Sequence, residues 1–225
     1  MRIWDLDPGF LNDRSLLGEH RELHGLFSIH VNGKKGYSRH PETVRWQKAL
    51  SGLAFRHDLL VSEMALRGFN HQSPLPPLPD RTPAWPEIFI DPPEAQFSLL
   101  REKYRDKAQG RIALPKAVGP LWASHKYSVM ARDPELYRTL GPRVADKTIG
   151  FPELGLLLVR VLRQKPARGR LINALDHLWG YLPDSAGAKP DDPDGLLAKI
   201  RAQAPDIPYL KGSTAIGELQ AWIDP

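Results

Sequence analysis

The chain has 225 residues, of which 41% are hydrophobic and 25% charged, with a formal net charge of +5 and no cysteine. That length suffices for one large domain or two small ones with a real core. The lack of cysteine excludes a disulfide framework, a thiolate nucleophile and any cysteine-ligated zinc or iron–sulfur cluster. No run nears the roughly 20 apolar residues of a membrane span, and Met1 to Asp5 lack the apolar core of a signal peptide, so a cytoplasmic protein with no membrane partner is expected.

Residues 10–31 read as an amphipathic helix, with Asn12 or Asp13 as its cap and an apolar stripe of Leu16, His20, Leu23 and Phe27. Ser15, Gly18, Glu22 and Gly25 fall on the side away from that stripe. Each interior glycine costs a helix about 1 kcal/mol relative to alanine. The small residues therefore serve either close approach of another helix or a groove in which the Glu22 carboxylate stands clear. A basic turn with Lys34, Lys35 and Arg39 follows. Pro41 then opens a second helix expected to run to about Arg67, with Gly68 placed to stop it.

Between Gln72 and Pro93 there are eight prolines, which forbid a helix and most sheet pairing. An extended, irregular connection is expected, with Trp85, Ile88, Phe89 and Ile90 holding part of it on the surface. A third helix, about Glu94 to Gln109, is expected to carry a dense basic set continuing to Arg111: Arg101, Lys103, Arg105, Lys107 and Arg111. Periodicity is lost over 112–120, around Pro115, Gly119 and Pro120, and a domain boundary is expected there. Further helices are expected at roughly 121–140, 151–164, 168–182, 193–203 and 213–223. No strand pattern is apparent, so the fold class is all-α in two modules, residues 1–111 and 121–225.

Four short motifs in the first module carry a resemblance. Met1-Arg2-Ile3-Trp4, Glu19-His20-Arg21-Glu22-Leu23 and Gly36-Tyr37-Ser38-Arg39-His40-Pro41, followed by Arg67-Gly68-Phe69-Asn70, resemble the pyrimidine-dimer DNA glycosylase family of the phage endonuclease V type. The resemblance covers roughly residues 1–111 and implies an endonuclease V-like helical domain. It also implies a glycosylase with abasic-site lyase activity, whose free N-terminal amine attacks C1′ of a damaged pyrimidine nucleotide with help from a glutamate. By position the amine belongs to Met1 and the carboxylate to Glu22, and the bulky Arg2 implies that Met1 is retained. The same resemblance assigns DNA contacts to Arg2, Arg21, Lys103 and Lys107; Arg111 and the basic turn at Lys34 and Lys35 extend that set.

The implied partner is double-stranded DNA bearing damaged or modified pyrimidines. No metal or organic cofactor is expected, because an imine supplies its own electron sink. Trp4, Tyr37 and Trp46 are candidate wedges for exposing C1′, or else core aromatics. The pattern departs from the family at Gly25 and Ser15, where an arginine and a histidine are usual, which bears on the lesion recognised. The alternative is a non-catalytic DNA-binding module that keeps the fold, or a protein or RNA interaction domain.

Residues 121–225 resemble a bacterial domain of unknown function. The resemblance is carried by His125-Lys126-Tyr127, by Tyr137 with Leu140-Gly141, and by Arg168-Gly169-Arg170 with Asn173, His177, Gly180 and Tyr181. Arg170, Asn173, His177 and Tyr181 share a helix face suited either to an anion or nucleic-acid strand, or to a buried hydrogen-bonded network.

Overall fold

The computed structural model describes residues 1–223, and no strand occurs among them. The helices are α1 (Asp13–Asn32), α2 (Pro41–Trp46), α3 (Leu50–Leu66), α4 (Pro93–Lys103), α5 (Val118–Met130) and α6 (Pro134–Ala145). They continue as α7 (Phe151–Leu162), α8 (Arg168–Trp179), α9 (Pro193–Gln203) and three single turns, α10 (Pro208–Lys211), α11 (Ala215–Glu218) and α12 (Gln220–Ile223). The fold is all-α, and no helix among the described residues is long and apolar enough to cross a membrane. Residues 224 and 225 of the second expected module lie outside the described residues.

Helix α1 begins and ends where its polar signals place it. The Asn12 side chain accepts the Ser15 N–H at 2.9 Å, and Gly33 closes the helix in the left-handed region. Its buried stripe is Leu16, Leu23, Leu26 and Phe27, packed on α3. The long second helix of the sequence reading is instead two, α2 and α3, separated by Gln47, Lys48 and Ala49. The break buries both Trp46, whose indole N–H reaches Glu42 at 2.9 Å, and Ala49. Gly68, at φ +79°, stops α3 as expected, and Arg67 beside it bonds the carbonyls of Leu11, Pro8 and Gly9 as well as Glu63 and Asp13.

The proline-rich connection is irregular over 69–92 and is partly packed down, as its aromatics imply. Trp85 sits edge-on to both Trp46 and Phe55, and Gly52 admits the Ala84 carbonyl where a Cβ would clash at 2.0 Å. Helix α4 ends at Lys103, six residues before the expected end, so Arg105, Lys107 and Arg111 are not helical. The turn there buries Tyr104, whose hydroxyl accepts the Asn12 N–H at 3.1 Å. The expected 121–140 helix is likewise split, into α5 and α6, with Asp133 capping α6.

The apolar core does not pause at 112–120. One continuous cluster contains Ile3, Phe10, Leu23, Trp46 and Phe97 together with Leu121, Val129, Leu140, Leu154 and Leu158. A second cluster joins Tyr127 and Met130 to α8, α9 and the C-terminal turns. Buried polar ties also cross the chain. Arg111 pairs with Glu63 at 2.8 Å and donates to the Ser213 carbonyl at 3.0 Å, Ser62 Oγ donates to the Gly217 carbonyl at 2.5 Å, and Arg163 pairs with Asp5 at 2.5 Å.

Candidate active site

The first five residues run extended along one flank of α1. Ile3 and Trp4 are buried, which anchors the segment. Its backbone is then read by two glutamates three apart on the helix: the Trp4 N–H donates to Glu19 Oε1 at 3.1 Å, and the Arg2 N–H donates to Glu22 Oε2. A two-residue step along an extended chain thus matches one turn of α1. Glu19 is held in turn by Arg56, at 2.8 and 3.0 Å, and Arg56 also bonds the Leu6 carbonyl at 2.8 Å. Gln96 clasps Asp5 through both its backbone N–H, at 2.9 Å, and its carboxylate, at 2.7 Å.

This anchoring sets the α-amine of Met1 3.8 Å from Glu22 Oε1, an ion-pair rather than a hydrogen-bond distance. The Glu22 side chain is 41% exposed and that of Met1 13%, so the pair lies at the rim of the protein. Beside it the face of α1 is clear. A Cβ on Gly18 or Gly25 would meet no atom within 4 Å, and Arg14 and Arg21 are exposed. No helix of this chain packs on the small residues among the described residues, so that face of α1 is open. Ser15 does not belong to that face, since it is buried.

The expected cations separate into two groups. Arg21, Lys34, Lys35, Lys103 and Lys107 are exposed, and none of them forms an ion pair among the described residues. Lys34 and Lys35 lie just past the C-terminal end of α1. Lys107 lies at the other end, where Asn12 donates to the Ala108 carbonyl at 3.0 Å and where Arg14 shares a surface depression with it. Arg2 and Arg111 are engaged by the protein. Arg2 pairs with Asp91 at 2.7 Å and lies 4.6 Å over the Trp4 ring, and the Arg111 side chain is 7% exposed against Glu63. Trp4 and Trp46 are core aromatics, whereas Tyr37 is 75% exposed on the basic turn.

Two of the motif residues have local tasks. His40 Nδ1 accepts the Glu42 N–H at 3.2 Å and so caps α2 ahead of Pro41, and Arg67 pins the 8–13 loop. On the flank of α1 opposite Glu22, the imidazoles of His20, His24, His57 and His71 converge. The only trace of this in the sequence is the four-residue spacing of His20 and His24. In the second half, Asn173 and His177 are exposed, which excludes the buried network, while Tyr181 bonds Tyr127 at 2.9 Å and stacks on Tyr209 at 4.2 Å.

A backbone-anchored N-terminal amine thus faces a carboxylate on an open, cation-flanked helix face. Two family models match parts of the chain. Residues 1–77 match the family model of pyrimidine dimer DNA glycosylases, and residues 126–193 match that of a family of proteins of unknown function, DUF1722. Met1, Arg2, Arg21, Glu22, Lys34 and Lys35 fall within the first match, while Lys103, Lys107 and Arg111 fall beyond it. No curated protein and no solved structure matches the chain.

Proposed function

We propose that the protein is a DNA-repair glycosylase with abasic-site lyase activity, in which the Met1 amine is the nucleophile and Glu22 moves the protons. The observation that carries this reading is the α-amine of Met1 held 3.8 Å from Glu22 at the edge of an unobstructed helix face. An α-amine ordinarily titrates near 8, against about 10.4 for a lysine, so a useful fraction is neutral near pH 7. The glutamate is close enough to receive the proton that the ammonium must lose.

The neutral amine attacks C1′ as the glycosidic bond to the base breaks, and Glu22 delivers a proton to the sugar ring oxygen as the ring opens. The product is a protonated imine between the Met1 nitrogen and C1′. Its positive charge draws electrons from the C2′–H bond. Loss of that proton to a nearby base expels the 3′ phosphate, and water then hydrolyses the imine. Glycosylase and strand-cleaving activities thus share one intermediate and call for no cofactor.

Helix α1 has 20 residues and is about 30 Å long, close to nine base pairs of duplex at about 3.4 Å each. Glu22 is near its middle, and exposed lysines flank both ends. Arg14 and Arg21 stand on its open face to meet phosphates. Arg2 helps by pinning the chain start to Asp91. Tyr37 is the exposed aromatic available as a wedge. Damaged or modified pyrimidines are the proposed targets, from the family match over residues 1–77.

Borohydride trapping on ultraviolet-irradiated duplex tests the reading. A covalent protein–DNA adduct is expected, formed by a protein whose intact mass retains an unblocked Met1. Acetylating the α-amine should abolish the adduct. A mobility shift without an adduct would instead identify a binding module.

A further inference from the structure

On the other flank of α1, four histidines from three chain segments meet. His20 and His24 are one turn apart on α1, His57 is in α3, and His71 follows the Gly68 turn at the start of the proline-rich connection. His20 Nε2 is 3.1 Å from His71 Nε2, 3.3 Å from His57 Nε2 and 3.3 Å from His24 Nε2, and all four ligand nitrogens lie within 4.8 Å of one another.

Hydrogen bonding among the rings does not account for this. Each imidazole nitrogen carries either one proton or one lone pair, so His20 Nε2 can satisfy one of its three neighbours and leaves two facing it unpaired. The Ser73 carbonyl, 3.3 Å from His57 Nε2 and also the backbone partner of His24 and His71, offers two lone pairs to three rings. Neutral imidazole is the ligating form.

A cation at the centre satisfies every nitrogen at once. For zinc–nitrogen bonds of about 2.0–2.1 Å, the edge of a tetrahedron is about 3.3–3.4 Å, close to the three shortest separations seen here. An outer partner is also in place: His57 Nδ1 faces Asp58 Oδ1 at 3.4 Å, and Asp58 Oδ2 is held by Arg81 at 2.5 Å. A carboxylate behind a histidine fixes the tautomer that presents Nε2 to a metal.

We infer that His20, His24, His57 and His71 form a closed four-nitrogen site for a divalent transition metal, zinc by geometry, that ties α1 to α3 and to the proline-rich connection. Four protein ligands leave no position for water or substrate, so the site is structural rather than catalytic. Its place on the flank of α1 away from Met1 fits that assignment. The inference is independent of the glycosylase reading and stands or falls without it.

The test uses the full chain without a polyhistidine tag, titrated with zinc against a chromophoric chelator. One zinc per chain is expected, with a rise in Tm of several degrees that a strong chelator reverses. Cobalt in place of zinc should show the visible bands of tetrahedral coordination. His24→Ala and His71→Ala remove partly exposed rings and should keep the helical circular dichroism. Each should weaken zinc binding by more than the ~10–100-fold that loss of an outer partner costs, with Asp58→Asn inside that range and His177→Ala without effect. Failure of the wild-type chain to compete with the chelator, a six-coordinate cobalt spectrum, or unchanged stoichiometry in both histidine variants would overturn the site.

Discussion

Glu22 and Asp7 are both carboxylates near the chain start, and their surroundings give them opposite tasks. Glu22 is half exposed and faces the Met1 amine. Glu22→Gln can still accept the Arg2 N–H, so DNA affinity should change little while turnover falls by the ~10²–10⁴-fold typical of a lost proton-transfer group. Single-turnover nicking rates beside equilibrium binding separate the two, and equal rates would remove the carboxylate from the chemistry. Asp7 is buried, and burial pushes its carboxyl up to about 7, with Glu63 adding to the effect and Arg111 opposing it. In the unfolded chain an aspartate titrates near 3.9, so the folded state holds the proton more tightly. The stabilisation is full below that value and is lost as pH rises through 7, a cost of about 4 kcal/mol by pH 8. Asp7→Asn keeps an acceptor for the Gly9 N–H, 2.8 Å away, and cannot ionise. Its urea midpoint should lie above that of the wild type at pH 8, and the gap should narrow toward pH 5. A gap independent of pH would refute the assignment.

At the scale of elements, α1 was readable because its limits are local: Asn12 caps it, Gly33 ends it, and its stripe has helical period. The break at 47–49 and the early end of α4 were not, because neither contains a breaker. Burial of Trp46 and Ala49 fixes the first, and the contact of Tyr104 with Asn12, 92 residues away, fixes the second. The site divides in the same manner. Met1 and Glu22 follow from motifs in one stretch of chain, whereas the pairing of Arg111 with Glu63 and the meeting of four histidines depend on distant segments. The open face of α1 makes a direct claim. Gly18→Ala should raise stability by about 1 kcal/mol, since its Cβ meets nothing, and should leave DNA binding intact. Gly18→Trp should lower DNA affinity at little cost in stability. If it binds normally, the duplex does not lie there. At the end of that face, Lys103→Ala with Lys107→Ala should weaken binding to all sequences and flatten its salt dependence by about two counterions. An unchanged slope would place the duplex away from α4.

Across the whole molecule, the two family-matched segments share their interior. Val129, Leu140, Leu154 and Leu158 pack in the same cluster as Ile3, Leu23 and Leu53, and the chain start is fixed partly by Arg163 on Asp5. The position of the Met1 amine thus depends on residues of the second matched segment. Arg132 is a point where that dependence can be measured. It is 1% exposed, pairs with Glu218 through two contacts of 2.8 and 2.9 Å, and bonds the carbonyls of Ser128, Leu162 and Gln164. Glu218→Ala leaves its guanidinium buried without a counter-charge, which should cost about 3–5 kcal/mol. Because α11 and α12 pack on α3, the loss should appear in a single transition reported equally by tryptophans of both halves. By the same reasoning a 1–111 fragment, stripped of the part of its core from Ile112 to Val161, should neither unfold cooperatively nor form the borohydride adduct. A fragment that did both would show that the first segment holds its N-terminal amine in place unaided.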